Sequence, residues 1–277
     1  MNGNLFENAP LSMKPSEKLR KSILELINTE ITYTKNLKIL QERYLIPLKE
    51  ENLLTSDEAD LLVKNIRDIY MFQKTFLEKL QEIKNNEKKM DAFEDVKQFQ
   101  NIIYLIGKLF LEFCDKFRLY STFCSCHSRA VKLLQVNTNE ALKAFLIARN
   151  PKQQHTASLE SYLITPIQRI LRYPLLIKTM MKYMLKDSEE YLCMNNALIS
   201  IEKVANYINE MQRINETFTP LFQDLAKRCP YVEILSTSSN IVKNDLEVRF
   251  STIISLNCLI LRDHAWSQNV QLRRKRC

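Results

Sequence analysis

The stretch SYLITPIQRILRYPLLIKTMMKY, residues Ser161–Tyr183, decides the fold class of this chain. Its apolar residues recur every three or four positions, which predicts a helix with one buried face. The predicted buried face consists of Leu163, Ile167, Ile170, Leu171, Pro174, Leu175 and Met181. The predicted polar face consists of Thr165, Gln168, Arg169, Arg172 and Thr179. A core helix with one solvated face is the simpler interpretation of this spacing, and a docking surface is the alternative.

Two prolines interrupt this predicted helix, Pro166 and Pro174. A proline inside a helix removes one backbone hydrogen bond and costs about 3 kcal/mol. Pro166 is tolerated if it lies in the first turn, where its missing N–H has no helical partner anyway. Pro174 lies further along, and we expect it to bend the helix.

The composition argues against several classes of site. The chain has only two glycines, Gly3 and Gly107, whereas loops that cradle phosphates need clustered glycines. We therefore expect no nucleotide cofactor. Among the seven cysteines no pair has C-x-x-C spacing, and Cys124, Cys126 and His127 lack a second ligand pair, so we expect no metal.

The charge pattern favours neither nucleic acid nor a membrane span. The net charge is +8, but basic residues alternate with acidic ones along the predicted helices. The one basic block, Arg273–Arg276, permits a weak contact with anionic lipid, and a solvated chain end is the simpler interpretation. No apolar run is long enough for a membrane span. We expect a soluble, cytoplasmic protein.

Apolar periodicity and helix-terminal residues predict an all-α fold, an elongated bundle of long antiparallel helices. The predicted helices are Glu17–Leu48, Thr55–Leu80, Val96–Tyr120, Phe123–Gln135, Ala141–Arg149, Ser161–Tyr183 and Glu189–Lys227. The third is the richest in phenylalanine and isoleucine and is predicted to occupy the centre of the bundle. We expect residues 1–16 to form a flexible arm and residues 17–226 to form the helical domain.

The segment 227–277 has a different composition. Tyr231–Leu235, Glu247–Ile254 and Asn257–Arg262 are rich in β-branched and apolar residues, which predicts short strands. A partial β-rich segment is therefore expected after the helices.

One charged residue stands out in the first predicted helix. Glu30 interrupts an apolar stripe that includes Leu26 and Leu37. Burying a carboxylate is costly unless a partner satisfies it. Two interpretations remain open, a salt-bridged or snorkelling glutamate and a charge held ready for a binding partner. If Glu30 is a charge held ready for a binding partner, we expect Glu30→Ala to leave thermal stability nearly unchanged.

Three stretches in order resemble a known family, the Dbl-homology (RhoGEF) domains, which are exchange factors for Rho-family GTPases. LITPIQRILRYPLL, at 163–176, resembles the family's signature helix. ELINTEITYTKNLKILQERYLIPL, at 25–48, resembles its first block, and VANYINEMQRINETF, at 204–218, resembles its last long helix. With YSTFCSCH and ARNPKQQH, the chain is most similar to the Tiam/still-life group of Rac exchange factors.

This resemblance implies a surface where the first, signature and last helices lie side by side and grip the two switch regions of the GTPase. It implies that Glu30 contacts switch I and that Gln168, Arg169 and Arg172 occupy the signature-helix positions of the GTPase-binding surface. Among these, Arg172 matches a position that faces switch II, which Asn209 of the last helix is also implied to meet. It also implies that Ile164 faces the strand before switch II, although an ordinary core isoleucine is the alternative. Thr165 departs from the family, which commonly has lysine there.

The implied partner is a Rho-family GTPase, with Rac favoured. No Ser/His/Asp or Cys/His constellation occurs with supporting spacing, so we expect an exchange factor without covalent catalytic residues. Two alternatives are an exchange-inactive helical scaffold and a membrane-associated adaptor that binds small GTPases. The family's domain is followed by a pleckstrin-homology domain, and 227–277 is too short for a complete one. Recruitment to the plasma membrane is a further expectation from the resemblance.

Overall fold

A computed structural model describes residues 13–51, 53, 56–87, 89–133, 140–149 and 159–228, with some side chains in 56–61, 125–133 and 215–228 left undescribed. The chain divides into two compact units, Met1–Thr217 and Phe218–Cys277. In the second unit the description covers only the end of the last helix. The strands predicted in 227–277, the first twelve residues of the arm predicted at 1–16 and the basic block Arg273–Arg276 lie outside the described residues. The last two residues of that arm, Pro15 and Ser16, belong to the first helix.

The described residues are helical and contain no strand. The α-helices are α1 (Pro15–Ile39), α2 (Ile46–Glu50), α3 (Ser56–Asn86), α4 (Gln100–Phe113), α5 (Leu119–Leu133), α6 (Glu140–Arg149), α7 (Leu159–Met181) and α8 (Glu189–Arg228). Shorter 3₁₀ turns lie at Met90–Ala92, Val96–Phe99 and Cys114–Arg118. No helix in the described ranges is long and apolar enough to cross a membrane.

The first predicted helix is nearly correct in its bounds but not in its regularity. A π-helical turn, Leu40–Leu45, connects α1 to α2. Pro47 was expected to end the helix, but the π-helical turn runs directly into α2, and Pro47 lies inside this continuous helical path. The helical path therefore continues to Glu50.

The predicted helix Val96–Tyr120 is divided into four pieces. In a 3₁₀ turn, side chains three positions apart lie above one another. The turn Cys114–Arg118 thereby places Phe117 and Tyr120 on the core side, and both are fully buried. Leu111 and Leu119 of this segment are 37% and 40% exposed, but the large apolar residues that predicted its central position are all buried. They are Phe99, Ile102, Ile103, Ile106, Phe110, Phe113 and Phe117.

The helix α7 is longer at its start than the sequence predicted, which changes the position of Pro166. Since α7 begins at Leu159, Pro166 lies two turns inside it and not in its first turn. A proline there leaves the carbonyl of Tyr162 without its helical N–H partner. The hydroxyl of Thr165 donates a hydrogen bond to that carbonyl at 2.7 Å. Pro174 is also inside α7, and both prolines are buried.

Candidate functional site

Ion pairs join α7 to both α1 and α8. On one side, the Arg172 guanidinium is 3.0 Å from the Glu25 carboxylate of α1. On the other, the Lys178 ammonium is 2.6 Å from the Glu202 carboxylate of α8. The signature helix therefore contacts both the first and the last helix, while a shared GTPase-binding surface on the three helices stays a prediction.

The helices α1 and α7 run antiparallel. Contacts pair Lys18 with Tyr183 at 5.9 Å, then Glu25 with Arg172, so positions rise along α1 as they fall along α7. The Arg169–Glu30 contact, which follows Arg172–Glu25 by about one turn on each helix, keeps the same order. Side-chain contacts therefore connect the two segments from Lys18–Tyr183 to Glu30–Arg169.

Apolar side chains form a row on the solvent side of α7. Ile164, Leu171 and Leu175 are 37%, 39% and 62% exposed, and Gln168 lies among them and is also exposed. Steps of four, three and four residues place Ile164, Gln168, Leu171 and Leu175 on one helical face. We call these four residues the α7 row. An aligned set of exposed apolar residues is typical of an interaction surface.

The α7 row corrects the face assigned from the sequence. Leu171 and Leu175 were predicted to be buried, and Arg169 was predicted to be on the polar face. Apolar residues lie on more than one side of α7, so periodicity alone could not select the core side. The buried residues are Leu159, Tyr162, Leu163, Pro166, Arg169, Ile170, Tyr173, Pro174, Leu176, Ile177 and Met180.

Behind the α7 row, a buried ion pair joins α7 to α1. The side chains of Glu30 and Arg169 are 0% and 4% exposed, with Arg169 Nη2 2.5 Å and Nε 3.1 Å from Glu30 Oε2. Arg169 also donates to Thr29 Oγ1 at 2.9 Å and to the backbone carbonyl of Leu26 at 3.5 Å. Its guanidinium therefore fastens α7 to one turn of α1.

Two further side chains complete the hydrogen bonds of Glu30. The Tyr173 hydroxyl donates to Glu30 Oε2 at 2.9 Å, and Gln73 Nε2 donates to Glu30 Oε1. Gln73 Nε2 also donates to the Tyr173 hydroxyl oxygen at 2.8 Å. We call Glu30, Arg169, Gln73 and Tyr173 the buried polar cluster. Each oxygen of the carboxylate has at least one donor, which is what a buried charge requires.

Burial changes the acid–base properties of this cluster. Removal from water, with the Glu30 carboxylate nearby, raises the pKa of the Tyr173 hydroxyl well above its usual value. Burial alone lowers the pKa of Arg169, but the Tyr173 oxygen and the Glu30 carboxylate more than offset this and raise it. Tyr173 is therefore a neutral donor and Arg169 a permanent cation at physiological pH.

An aromatic core supports the buried polar cluster. The Tyr173 ring lies 5.1 Å from Phe117, 5.6 Å from Phe110 and 6.2 Å from Phe76, all edge-on. A buried pair of hydroxyls, Tyr33 with Tyr120 at 2.9 Å, lies in the same core. Rings from α3, α4 and the Cys114–Arg118 turn thus fix where the Tyr173 hydroxyl can be.

The structure decides between the two interpretations of Glu30 for the free chain. Glu30 is salt-bridged in the core, so Glu30→Ala leaves Arg169 unpaired. We therefore replace the expectation of nearly unchanged stability with one of a marked loss, because a lone buried charge is strongly destabilising. A contact between Glu30 and a GTPase stays a prediction.

The other predicted site residues are accessible. Gln168 and Ile164 belong to the α7 row, so the interpretation of Ile164 as an ordinary core residue is wrong. Arg172 is half-exposed and paired with Glu25. Asn209 is exposed on α8, two turns beyond Glu202. Within the described residues, no hydrogen bond or ion pair joins Asn209 to the other five.

Sequence reasoning missed Gln73 and Tyr173. Gln73 lies in the buried stripe of α3 that includes Ile69, Phe76 and Leu80. It interrupts that stripe as Glu30 interrupts the stripe of α1. Two polar interruptions on neighbouring helices were the available signal that they contact each other.

Two surface hollows of the described residues lie away from the predicted site residues. The first, of about 420 Å³, is lined by Gln100, Asn101, Tyr104 and residues 188–190. The second, of about 630 Å³, is lined by Glu51, Leu53, Ala141, Ala144, Phe145, Ala148 and Arg149. Neither hollow includes a predicted site residue. Within the described residues, no group of three or more His, Cys, Asp or Glu side chains is arranged to hold a metal.

Comparisons of the sequence with known proteins identify one family. The model of the RhoGEF domain matches residues 22–209. The chain is 47% identical over 214 residues to the Drosophila melanogaster protein still life, isoform SIF type 1, covering 77% of this chain. It is 42% identical over 214 residues, again 77% of this chain, to the human Rho guanine nucleotide exchange factor TIAM2. A human phosphatidylinositol 3,4,5-trisphosphate-dependent Rac exchanger 2 protein is 32% identical over 207 residues, 71% of this chain.

A solved structure of the Vav1 exchange factor has a similar fold. Its TM-score is 0.62 at 25% identity, and the match covers 76% of this chain and 54% of that one. The chain spans 10%, 13% and 12% of the lengths of the three relatives named above. The similarity therefore concerns one domain of much longer proteins.

Proposed function

Because the chain belongs to the RhoGEF domain family, we propose that it is a guanine-nucleotide exchange factor for Rho-family GTPases and that it prefers Rac. The names of two relatives support this proposal. One is a Rho guanine nucleotide exchange factor, and the other is a Rac exchanger. The preference for Rac has the narrower support, since it rests on the second name and on the resemblance to the Tiam/still-life group.

The observation that carries the proposal is the α7 row between two neighbouring helices. Leu175 and Leu171 expose apolar surface, and the Glu25–Arg172 and Lys178–Glu202 pairs hold α1 and α8 on either side. Three adjacent helices offer a broad surface, which a folded protein can cover. A small ligand would require an enclosed pocket.

Exchange by such a surface depends on differential binding. A catalyst of GDP release must bind the nucleotide-free GTPase more tightly than the GDP-bound form. If GDP is held at nanomolar affinity, about 12 kcal/mol must be offset. An interface of roughly 2,000 Å² or more is appropriate to this task. The surfaces of α1, α7 and α8 together would supply it.

The site residues have two different roles in this proposal. Gln168, Arg172 and Asn209 are accessible and contact switch II, while Ile164 contacts the strand before it. The exposed pair of Arg172 with Glu25 is no obstacle, since such pairs contribute only about 0.2–1 kcal/mol. Arg172 can exchange Glu25 for an acidic group of the partner.

Glu30 and Arg169 can contact switch I and switch II directly only if they leave the buried polar cluster. Glu30 is 0% exposed and has four hydrogen bonds from three side chains. Remodelling of switch I by Glu30 therefore requires a rearrangement of α1 or of this side chain in the complex. Without it, both residues act by fixing α1 against α7.

One observation favours a second candidate function, an exchange-inactive scaffold or adaptor. The burial of Glu30 removes from the free surface the carboxylate that the family pattern assigns to switch I. A scaffold would use the α7 row to bind GTPases without distinguishing their nucleotide states. Recruitment to the plasma membrane, with weak lipid contact through Arg273–Arg276, is a separate proposal compatible with either candidate.

The experiment is the release of a fluorescent GDP analogue from Rac with and without the chain, using matched surface variants. Leu175 of the α7 row and Ile147 of α6 are both 62% exposed. Leu175→Ala removes apolar contact area from the proposed interface, whereas Ile147→Ala removes a similar area elsewhere. We expect wild type and Ile147→Ala to accelerate release and Leu175→Ala to be several-fold slower. No acceleration by wild type would contradict the proposal.

A further inference from the structure

We propose that Tyr173 and Gln73 are positioning residues for nucleotide exchange, acting through Glu30 and Arg169 and not through the GTPase. This inference rests on the proposed exchange function. Neither residue is accessible, as both are 0% exposed. Neither can therefore contact a partner bound over the α7 row, and any effect on exchange must be transmitted through the chain.

The hydrogen bonds of these two residues converge on the carboxylate of Glu30. Tyr173 donates to Oε2 at 2.9 Å, and Gln73 donates to Oε1. Gln73 also donates to the Tyr173 oxygen at 2.8 Å, so the two donors restrain each other. The Glu30 carboxylate is thereby held from the α3 and α7 sides in one orientation towards Arg169.

The two hydrogen bonds that Gln73 donates come with a cost on the other side of its amide. Its Oε1 atom is buried and has no hydrogen-bond partner among the described residues. A buried unpaired acceptor costs free energy, typically about 1–3 kcal/mol. An apolar residue of similar size would avoid that cost. A glutamine here is consistent with a requirement for its two N–H donors.

The buried polar cluster connects to the surface through Thr29. Arg169 Nη1 donates to Thr29 Oγ1 at 2.9 Å, and Thr29 is half-buried between the exposed Asn28 on one side and buried Glu30 on the other. On α7, Arg169 follows directly after Gln168 of the α7 row. A shift of the Arg169–Glu30 pair therefore changes the position of the exposed face of α7 relative to that of α1.

The alternative is that Tyr173 merely stabilises the core, and the chain offers a matched control for it. Tyr120 is also 0% exposed, and its ring lies 6.3 Å from Phe117, which Tyr173 also contacts. Its hydroxyl bonds to Tyr33 and not to Glu30. Tyr120→Phe and Tyr173→Phe each remove one buried hydroxyl from the same core, but only Tyr173→Phe removes a donor from Glu30.

The test measures GDP release from Rac over a range of chain concentrations for wild type, Tyr173→Phe, Tyr120→Phe and Gln73→Met. A hydrogen bond to a charged group has a strength that corresponds to about tenfold in rate. We expect Tyr173→Phe to lower the maximal rate about tenfold and to leave the half-saturating concentration within about twofold. Gln73→Met should behave in the same way, and Tyr120→Phe should keep a maximal rate within about twofold of wild type.

Three results would overturn the inference. One is a Tyr173→Phe variant with the wild-type maximal rate. Another is equal loss of rate in both tyrosine variants, which would mean that only core stability matters. The third is an inactive wild type, which would overturn the proposed function as well. An active wild type with an unaffected Tyr173→Phe would overturn the positioning role alone and leave the exchange function in place.

Discussion

Arg169 and Glu30 form an ion pair of 2.5 Å between α7 and α1, with side chains 4% and 0% exposed. Removing one partner leaves the other charge buried and unpaired, so we expect Glu30→Ala to lower the free energy of unfolding by about 3–5 kcal/mol. Urea unfolding followed by circular dichroism measures this loss. The matched control is Glu25→Ala, which breaks the exposed Glu25–Arg172 pair between the same helices and should cost less than about 1 kcal/mol.

A double-mutant cycle isolates the pair itself. If Glu30 and Arg169 interact as the geometry indicates, the loss in Glu30→Ala/Arg169→Ala is smaller than the sum of the two single losses. Strictly additive losses would contradict the assignment of a direct ion pair.

The hydroxyl of Thr165 replaces the hydrogen bond that Pro166 cannot make to the carbonyl of Tyr162. Thr165→Val keeps the β-branched shape and removes this bond, which should cost about 0.5–1.5 kcal/mol of unfolding free energy. Thr179 of the same helix donates to the carbonyl of Leu175 at 2.8 Å, where the backbone N–H is still present. Thr179→Val should therefore cost less, and equal losses in urea unfolding would argue against the role of Thr165.

Asn209 is exposed on α8, so its removal should affect binding and not folding. We expect Asn209→Ala to slow GDP release from Rac strongly and to leave the midpoint of thermal unfolding nearly unchanged. Asn196 is a suitable control, since it is an exposed asparagine of the same helix on a different face. Asn196→Ala should release GDP at the wild-type rate. A loss of exchange that parallels a loss of stability would show that Asn209 is structural.

Arg172 should contribute to exchange partly through its charge. We expect Arg172→Ala to slow GDP release, with a larger deficit at low ionic strength, where exposed charges are less screened. Lys79→Ala removes the same charge from the exposed Lys79–Glu82 pair of α3 and serves as the control. Rates measured across a salt series would contradict this prediction if the two variants depended on salt identically.

Ile164 should influence the choice of GTPase, because it is 37% exposed in the α7 row. A β-branched side chain leaves room for a tryptophan of Rac where several relatives have phenylalanine, as the family resemblance implies. Differences of one or two methylenes are worth about 1–3 kcal/mol. Ile164→Leu should therefore narrow the ratio of exchange rates between Rac and those relatives, while Ile147→Leu on α6 leaves it unchanged. An unaltered ratio in Ile164→Leu would place selectivity elsewhere.

Most of the helices could be predicted because their signals are local. The apolar spacing of Phe99 to Phe117 marks a buried segment, and the helical span from Pro15 to Glu50 follows from a similar stripe. The prediction of uninterrupted helices failed at two irregular turns, the π-helical turn at Leu40–Leu45 and the 3₁₀ turn at Cys114–Arg118. Neither changes the apolar period enough to be seen in one sequence.

The candidate site was harder to predict because its contacts are distant in the sequence. The resemblance pointed to Arg169 and Glu30, but their pairing depends on how α7 is rotated against α1. That rotation is set by Tyr173 and the rings around it, which bury one side of an apolar helix and expose Leu171 and Leu175. Gln73 belongs to a third helix, and only the packing of α3 brings it to Glu30.

The most direct test of the account compares the affinity of the chain for nucleotide-free Rac and for GDP-loaded Rac under the same conditions. An exchange factor lowers the barrier to GDP release only by preferring the nucleotide-free form. We predict that the nucleotide-free form binds at least about tenfold more tightly, a difference of about 1.4 kcal/mol. Equal affinity for the two forms would contradict exchange activity and leave a scaffold that binds GTPases.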